Sequence, residues 1–225
     1  MPKISLLVKS LVALFCWRLI LVAATWMAPQ FISFQPSYPY WEGLINIDLP
    51  RQILVWAGFD GVHYLKIAES GYIGTGLIQA FFPIYPYLIR WLSAIISLHP
   101  IILGLIISHL SLWGCLFFSH KIITKKYSTK VAWYFWLTLL LFPTSYYFGA
   151  LYNESLYLFL ILGSVWWGLT QKKTFLGIWG GLSSGVRLVG LSWLLGWFGQ
   201  IVWQKVIKQR FNLNKLILKK LLVIH

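Results

Sequence analysis

Asp60, Glu154 and Arg187 are the residues of this sequence best suited to chemistry. Arg187 sits among Gly180, Gly181, Ser183, Ser184, Gly185 and Gly190 in an otherwise apolar stretch. An ionisable side chain there should face a polar cavity or a partner. Exposure to hydrocarbon costs about 2.5–3.5 kcal/mol on insertion scales. Its guanidinium fork suits a lipid-linked phosphate. Asp60 suits a general base that takes a proton from a sugar hydroxyl. Glu154, a second carboxylate, would help an oxocarbenium-like transition state. All three are expected to line one polar cavity near the outer membrane face. Each acid also has a plainer reading. Asp60 would cap a helix beginning at Gly61, and Glu154 after Asn153 would serve as a turn or cap residue. His63, His99 and His109, taken singly, read as hydrogen-bonded fillers. No acid–histidine spacing forms a metal site, so no metal is assigned. Cys16 and Cys115 fall in apolar runs without metal or redox spacing and read as small buried hydrophobes.

The elements that must position these residues follow from composition. Of 225 residues, 59% are hydrophobic and 11% charged, with 14 Trp, 12 Tyr and 15 Phe. A soluble domain is nearer half apolar and a quarter charged. Too few charges remain to cover a water-facing surface, which excludes soluble, disordered, collagenous and secreted disulfide-scaffold classes. The net charge of +14 is distributed as membrane topology, not as a nucleic-acid footprint. Glu42, Asp48, Asp60 and Glu69 share one early loop and Glu154 one later turn, while Lys and Arg cluster in other connections. The fold class expected is all-α: a polytopic transmembrane helix bundle of about six to seven membrane segments, one membrane domain over 1–225.

Residues 10–28 read as an uncleaved first span, with Lys3 and Lys9 holding the N-terminus in the cytoplasm. Arg18 within it snorkels or faces other helices. Residues 29–80 form a long outer loop carrying an interfacial helix over 59–69, ended by Gly71 and Gly74. The three-residue spacing of Asp60, His63 and Lys66 places them along one side, with Val62, Leu65 and Ala68 or Glu69 elsewhere. Residues 81–203 hold the remaining membrane segments. Over 77–98, Pro83, Pro86 and Arg90 point to a partial or re-entrant segment. Basic 121–130 and 171–173 stay inside, between apolar runs 101–120, 131–150 and 156–170. Residues 175–203 are too long for one span and too short for two, so two half-length helices should meet near Arg187. The basic tail 204–225 reads as a cytoplasmic peripheral helix.

Four blocks carry a family resemblance: FDGVHYLKIAESGY (59–72), AFFPIYP (80–86), FPTSYYFGALYNESLYLFL (142–160) and GGLSSGVRLVGLSW (180–193). In order and spacing they resemble the PIG-V type of integral-membrane mannosyltransferase, which adds the second mannose in GPI-anchor assembly, and its prokaryotic relatives. Phe59 stands where that family usually has Trp, and Asn153 where it often has Thr or Ser. The resemblance implies a polytopic glycosyltransferase of the GT-C class, with a catalytic Asp in the first outer loop, a position that Asp60 matches. His63, Tyr64, Glu154 and Arg187 are read as substrate-binding. The donor implied is a polyprenyl- or dolichyl-phosphate hexose, mannose foremost, and the acceptor a lipid-linked or surface glycan. No cofactor is assigned beyond that donor substrate. Partners are donor, glycan or glycolipid acceptor and membrane lipids, with no nucleic acid. A multi-pass location follows, plasma membrane in a prokaryote or endoplasmic reticulum in a eukaryote, with the active site on the outer or lumenal side.

Family members are longer, which keeps open a truncated chain or a non-catalytic part of a split enzyme. A lipid or sugar transporter would share the buried arginine and the broken helices, but would usually show two related halves.

Overall fold

The computed structural model describes residues 5–33, 36–72, 78–203 and 206. Those residues are helical throughout their regular structure, without strands. Gly74 and the tail 204–225, apart from Val206, lie outside them. The helices are α1 (Leu6–Met27), α2 (Glu42–Ile45), α3 (Arg51–Leu54), α4 (Asp60–Ser70), α5 (Ile84–Ile95), α6 (Pro100–Ile123), α7 (Thr129–Leu141), α8 (Glu154–Leu169), α9 (Lys173–Val186) and α10 (Val189–Trp203).

α6 is the axis, packing against α1, α5, α7 and α8. Gly104, Ser108, Ser111, Cys115 and Ser119 are all small and, save Gly104, all among its buried polar or thiol residues. Their spacing of three or four lines one side of the helix, so neighbouring backbones approach closely without large side chains between them. One core cluster gathers α4, α5, the first half of α6, α8 and Val186. A second joins Leu14 and Trp17 of α1 to the later half of α6 and to Trp136 of α7.

Among the described residues, two helices are long and apolar enough to cross a bilayer: the Leu6–Gln30 unit and Pro100–Ile123. Of the roughly six to seven membrane segments expected, some of them partial or half-length, these two have full crossing length among the described residues. α5, α7, α8 and α9 have 12, 13, 16 and 14 residues. At 1.5 Å per residue they reach roughly 18–24 Å, short of the ~30 Å hydrocarbon core. The reason lies in the punctuation. α5 begins only after Pro83, α7 ends before Phe142-Pro143, and the α9–α10 pair breaks at Arg187, whose backbone is extended. That break is the one the glycine pattern predicted.

Two expectations are corrected. Cys16 is exposed, not buried, while Cys115 is buried. α1 buries only Ser10, Leu14 and Trp17, a narrow seam at helical spacing, and presents the rest outward. Lys66 does not share a side with Asp60. A three-residue spacing falls short of a full turn by about 60° each time, so six residues drift by about 120°. Lys66 therefore joins Val62, Leu65 and Glu69, and it pairs with Glu69 at 3.4 Å. Arg18 resolves inward: it donates to the Gly149 carbonyl at 3.1 Å and lies 4.0 Å over the Trp56 ring.

Gly190 opens α10 against the α9 backbone. A Cβ there would meet the Ser183 carbonyl carbon and the Ser184 nitrogen at 2.5 Å. Gly177, mid-α9, has nothing within 4 Å. Gly190→Ala should therefore lower stability by about 1–3 kcal/mol. Gly177→Ala should raise it by roughly 0.5–1 kcal/mol, through helix propensity. Thermal unfolding in one detergent measures both, and equal effects would contradict the close approach of α9 and α10.

Candidate active site

The site is assembled from the ends of short helices. α4 starts at Asp60 itself, and its cap is Phe59, which makes no side-chain cap hydrogen bond. Asp60 therefore lies in the first turn of α4 and does not cap a helix begun at Gly61; the plainer reading of this acid is corrected. Phe59 holds φ 51°, ψ −117°. That is a strained conformation for a side chain of this size. Its ring stacks on Tyr38 at 4.6 Å. The strain turns the chain sharply one residue before Asp60, leaving the carboxylate exposed.

The loop before α4 is bound to the turn before α8. Leu151 donates its N–H to the Trp56 carbonyl at 2.8 Å, and the Tyr152 hydroxyl donates to the Gly58 carbonyl at 3.2 Å. Gly61 lies against the Leu151 carbonyl, 3.4 Å from where its Cβ would stand. On the far side, Asn153 Nδ2 donates to the Val186 carbonyl at 2.9 Å. One residue further along each chain, Arg187 Nη2 donates to Glu154 Oε1 at 3.0 Å. Arg187 thus faces a carboxylate in the bundle and not lipid.

Tyr64 lies one helical turn after Asp60 on α4 and within electrostatic reach of Glu154 and Arg187. Its ring meets Phe81 and Tyr85 edge-on at 5.1 and 5.0 Å. Burial pushes its phenol far above the ordinary range; the Glu154 and Asp60 charges push further and Arg187 opposes them. A single phenol therefore feels all three predicted residues. Burial also raises Tyr152, again with Asp60 adding to it. His63 stacks on Phe81 at 4.8 Å and meets Tyr40 edge-on at 5.4 Å. Burial lowers its imidazole below the usual value, against the opposing pull of Asp60.

Buried polar atoms without partners mark the same region. Glu154 Oε2, Asn153 Oδ1 and His63 Nδ1 have none among the described residues. Such atoms are costly unless a water or ligand meets them. Arg187 keeps 41% of its side chain exposed while Glu154 keeps 22%, so the arginine remains partly accessible beside its partner. Among the described residues no cluster of three His, Cys, Asp or Glu side chains could hold a metal.

Two cavities flank this cluster, and neither is lined by Asp60, Glu154 or Arg187. One, of about 610 Å³, lies on the other side of α4, between α2, Val62, Leu65, Lys66 and Glu69 of α4, Arg90 and Ser93 of α5, and His99. The other, of about 520 Å³, runs from Leu21, Ala24, Thr25 and Ala28 to Arg51, Val55, Trp56 and Phe59. The polar groups at Arg187 and Glu154 form a ledge beside these cavities and not the floor of either.

Sequence reasoning missed several positioning residues. Tyr85 donates or accepts with Ser108 at 2.9 Å and reaches the Gly104 carbonyl at 3.0 Å; Ser108 in turn donates to the Tyr152 carbonyl at 3.1 Å. Tyr85 and Tyr152 lie inside the motif blocks, which was the available signal. Ser108 lies in a uniformly apolar run and had none. His99 and His109 are hydrogen-bonded, His99 Nδ1 to the Ile101 N–H at 3.2 Å and His109 Nδ1 to the Leu105 carbonyl at 2.6 Å.

All four motif blocks meet in this one region. A family model described as Mannosyltransferase (PIG-V) matches residues 7–223. No curated protein matches the chain, and no solved structure does. The matched span takes in all the helices above, save the first residue of α1, and both the strained and the paired groups of the site. The family is membrane-associated and its activity is glycosyl transfer, in keeping with the apolar helices. This chain belongs to the PIG-V family of mannosyltransferases.

Proposed function

We propose that the protein transfers a hexose, mannose foremost, from a polyprenyl-phosphate donor to a hydroxyl of a glycan acceptor, with Asp60 as general base. The observation that carries this reading is the exposed Asp60 in the first turn of α4, one residue after the strained Phe59 and one helical turn before Tyr64, whose phenol lies within electrostatic reach of the Arg187–Glu154 pair. Asp60 takes the acceptor hydroxyl proton as the oxygen attacks the anomeric carbon. The bond from that carbon to the phosphate oxygen breaks, and the lipid phosphate leaves with the electron pair. Arg187 stabilises the leaving phosphate with the donors that Glu154 does not use. Glu154 holds the guanidinium in place. Asp60 and Glu154 together offset positive charge developing on the sugar ring.

The cavity of about 520 Å³ supports the lipid side of the reading. Its lining is mostly apolar, Arg51 stands at its rim, and Phe59 forms part of its wall, one residue from Asp60. A polyprenyl chain in this groove would bring its phosphate to the exposed edge of the site. The charge distribution supports an orientation with the α4 side outward and the basic loop 121–130 inward.

Asp60→Asn keeps size, and no cap hydrogen bond is lost. Transfer from a polyprenyl-phosphate hexose should fall by roughly 10²–10⁴-fold while the protein inserts and accumulates. Undiminished turnover would remove Asp60 from the mechanism. Arg187→Lys keeps charge but loses the fork, so donor KM should rise about tenfold with little loss of unfolding temperature. Ala24→Trp should raise KM for a long-chain donor and leave a short-chain donor almost unaffected; equal effects on both would place the chain elsewhere. In a chain freed of Cys16 and Cys115, cysteines at Ser70 and Lys126 should label from opposite sides of the membrane. Labelling from one side would reverse the assigned orientation.

A further inference from the structure

The cavity of about 610 Å³ is left unused by the transfer reaction, because α4 stands between it and Asp60. Its charges are arranged in a specific way. Lys66 and Glu69 pair with one another at 3.4 Å. Glu42 on α2 and Arg90 on α5 both line the cavity, and neither has a hydrogen bond or ion pair among the described residues. They do not pair with each other, which leaves one anion and one cation bordering a common space. Between them, Leu44, Val62 and Leu65 make an apolar floor. Beyond Arg90 the surface of α5 continues as Trp91 and Ile95, 63% and 81% exposed.

We propose that this cavity binds the headgroup of a bilayer phospholipid carrying both a phosphate and a primary ammonium, the ethanolamine class. Arg90 takes the phosphate oxygens, for which a guanidinium is shaped. Glu42 accepts hydrogen bonds from the ammonium. The apolar floor receives the glycerol backbone, and the acyl chains run along Trp91 and Ile95 into the bilayer. A neutral saccharide would hydrogen-bond both groups but neutralise neither charge, and an anionic lipid would leave Glu42 unanswered and repelled. A choline headgroup cannot donate to Glu42, and among the described residues Tyr40 is the one Phe, Tyr or Trp lining the cavity, short of the cage that binds quaternary ammonium. The binding is independent of catalysis: it needs none of Asp60, Glu154 or Arg187.

The test is lipid retention by the full chain, extracted in mild detergent from membranes containing equal ethanolamine, choline and glycerol phospholipids, read by native mass spectrometry. The ethanolamine lipid should be retained about tenfold over the other two, the ratio that one charge-assisted hydrogen bond supports. Glu42→Gln should bring the ethanolamine and glycerol lipids to within about twofold of each other. Arg90→Gln should lower retention of both by roughly tenfold. Both residues are exposed, and matched unfolding temperatures exclude a folding defect. Asp60→Asn should keep the same selectivity, so failure of the transfer mechanism leaves this result standing. Equal retention of the three lipids, or unchanged retention by the Glu42→Gln, Arg90→Gln double variant, would overturn the proposal. Displacement by chain-free glycerophosphoethanolamine as effectively as by the intact lipid would overturn its assignment to a bilayer lipid.

Discussion

The pairing of Arg187 with Glu154 constrains everything around it. An arginine in an apolar stretch cannot be left to hydrocarbon, and the helix that bears it cannot remain continuous if the side chain is to turn inward. The break between α9 and α10 meets both demands, and Gly190 makes it possible by letting α10 start against the α9 backbone. The carboxylate that answers Arg187 must then stand at the start of α8. Asn153, one residue before, fixes that start by bonding Val186, one residue before the arginine. Two adjacent residue pairs thus clamp the same two chain segments, one through a neutral bond and one through charge.

From this clamp a chain of polar contacts leads to Asp60. Tyr152 joins the turn to Gly58, and Leu151 joins it to Trp56. Arg18 grips both sides at once, bonding Gly149 ahead of the turn and covering the Trp56 ring ahead of α4. A cation in the first long helix is thereby answered inside the bundle, as the arginine near the last helix is. Neither arginine is spent on bilayer anchoring. Together they hold two irregular segments that would otherwise have only short helices to support them. Irregular backbone at membrane depth is stable only where protein surrounds it.

Residue chemistry and glycine spacing made part of this readable before any coordinates. Arg187 amid six Gly and Ser residues announced the break, and Gly71 announced the end of α4, where it indeed takes φ +71°. Tertiary detail was not readable. Periodicity at three residues put Lys66 beside Asp60, because over so short a helix the drift of 60° per step is easily overlooked. Hydrophobicity marked Cys16 as buried, yet in a bilayer apolar residues face outward as readily as inward, so apolar character no longer reports burial. Apolar runs that read as membrane segments form helices of 12–16 residues, and Pro83, Pro143 and Arg187 mark where three of them stop short of a full crossing. Ser108, which ties Tyr85 to Tyr152, had no local signature at all.

α4 serves as a partition, and its rotation decides whether the site exists. One flank carries Asp60 and Tyr64 toward the Arg187–Glu154 pair; the other carries Val62, Leu65, Lys66 and Glu69 toward the larger cavity. One residue of slippage would turn the helix by about 100° and exchange these roles. Three features oppose that turn. Gly61 fits against Leu151 and Ala57, where a Cβ would already be in van der Waals contact and the further methyl groups of Val62 would crowd. Tyr64 is held edge-on by Phe81 and Tyr85, each contact worth about 0.5–1.5 kcal/mol beyond the area it buries. The strained Phe59 fixes where the helix may begin. Strain at that position is tolerated because the aromatic and glycine contacts on either side over-determine the backbone. It follows that the conformation of Phe59 and the packing of Tyr64 are one device, and that loosening either would misdirect Asp60 before it unfolded the helix.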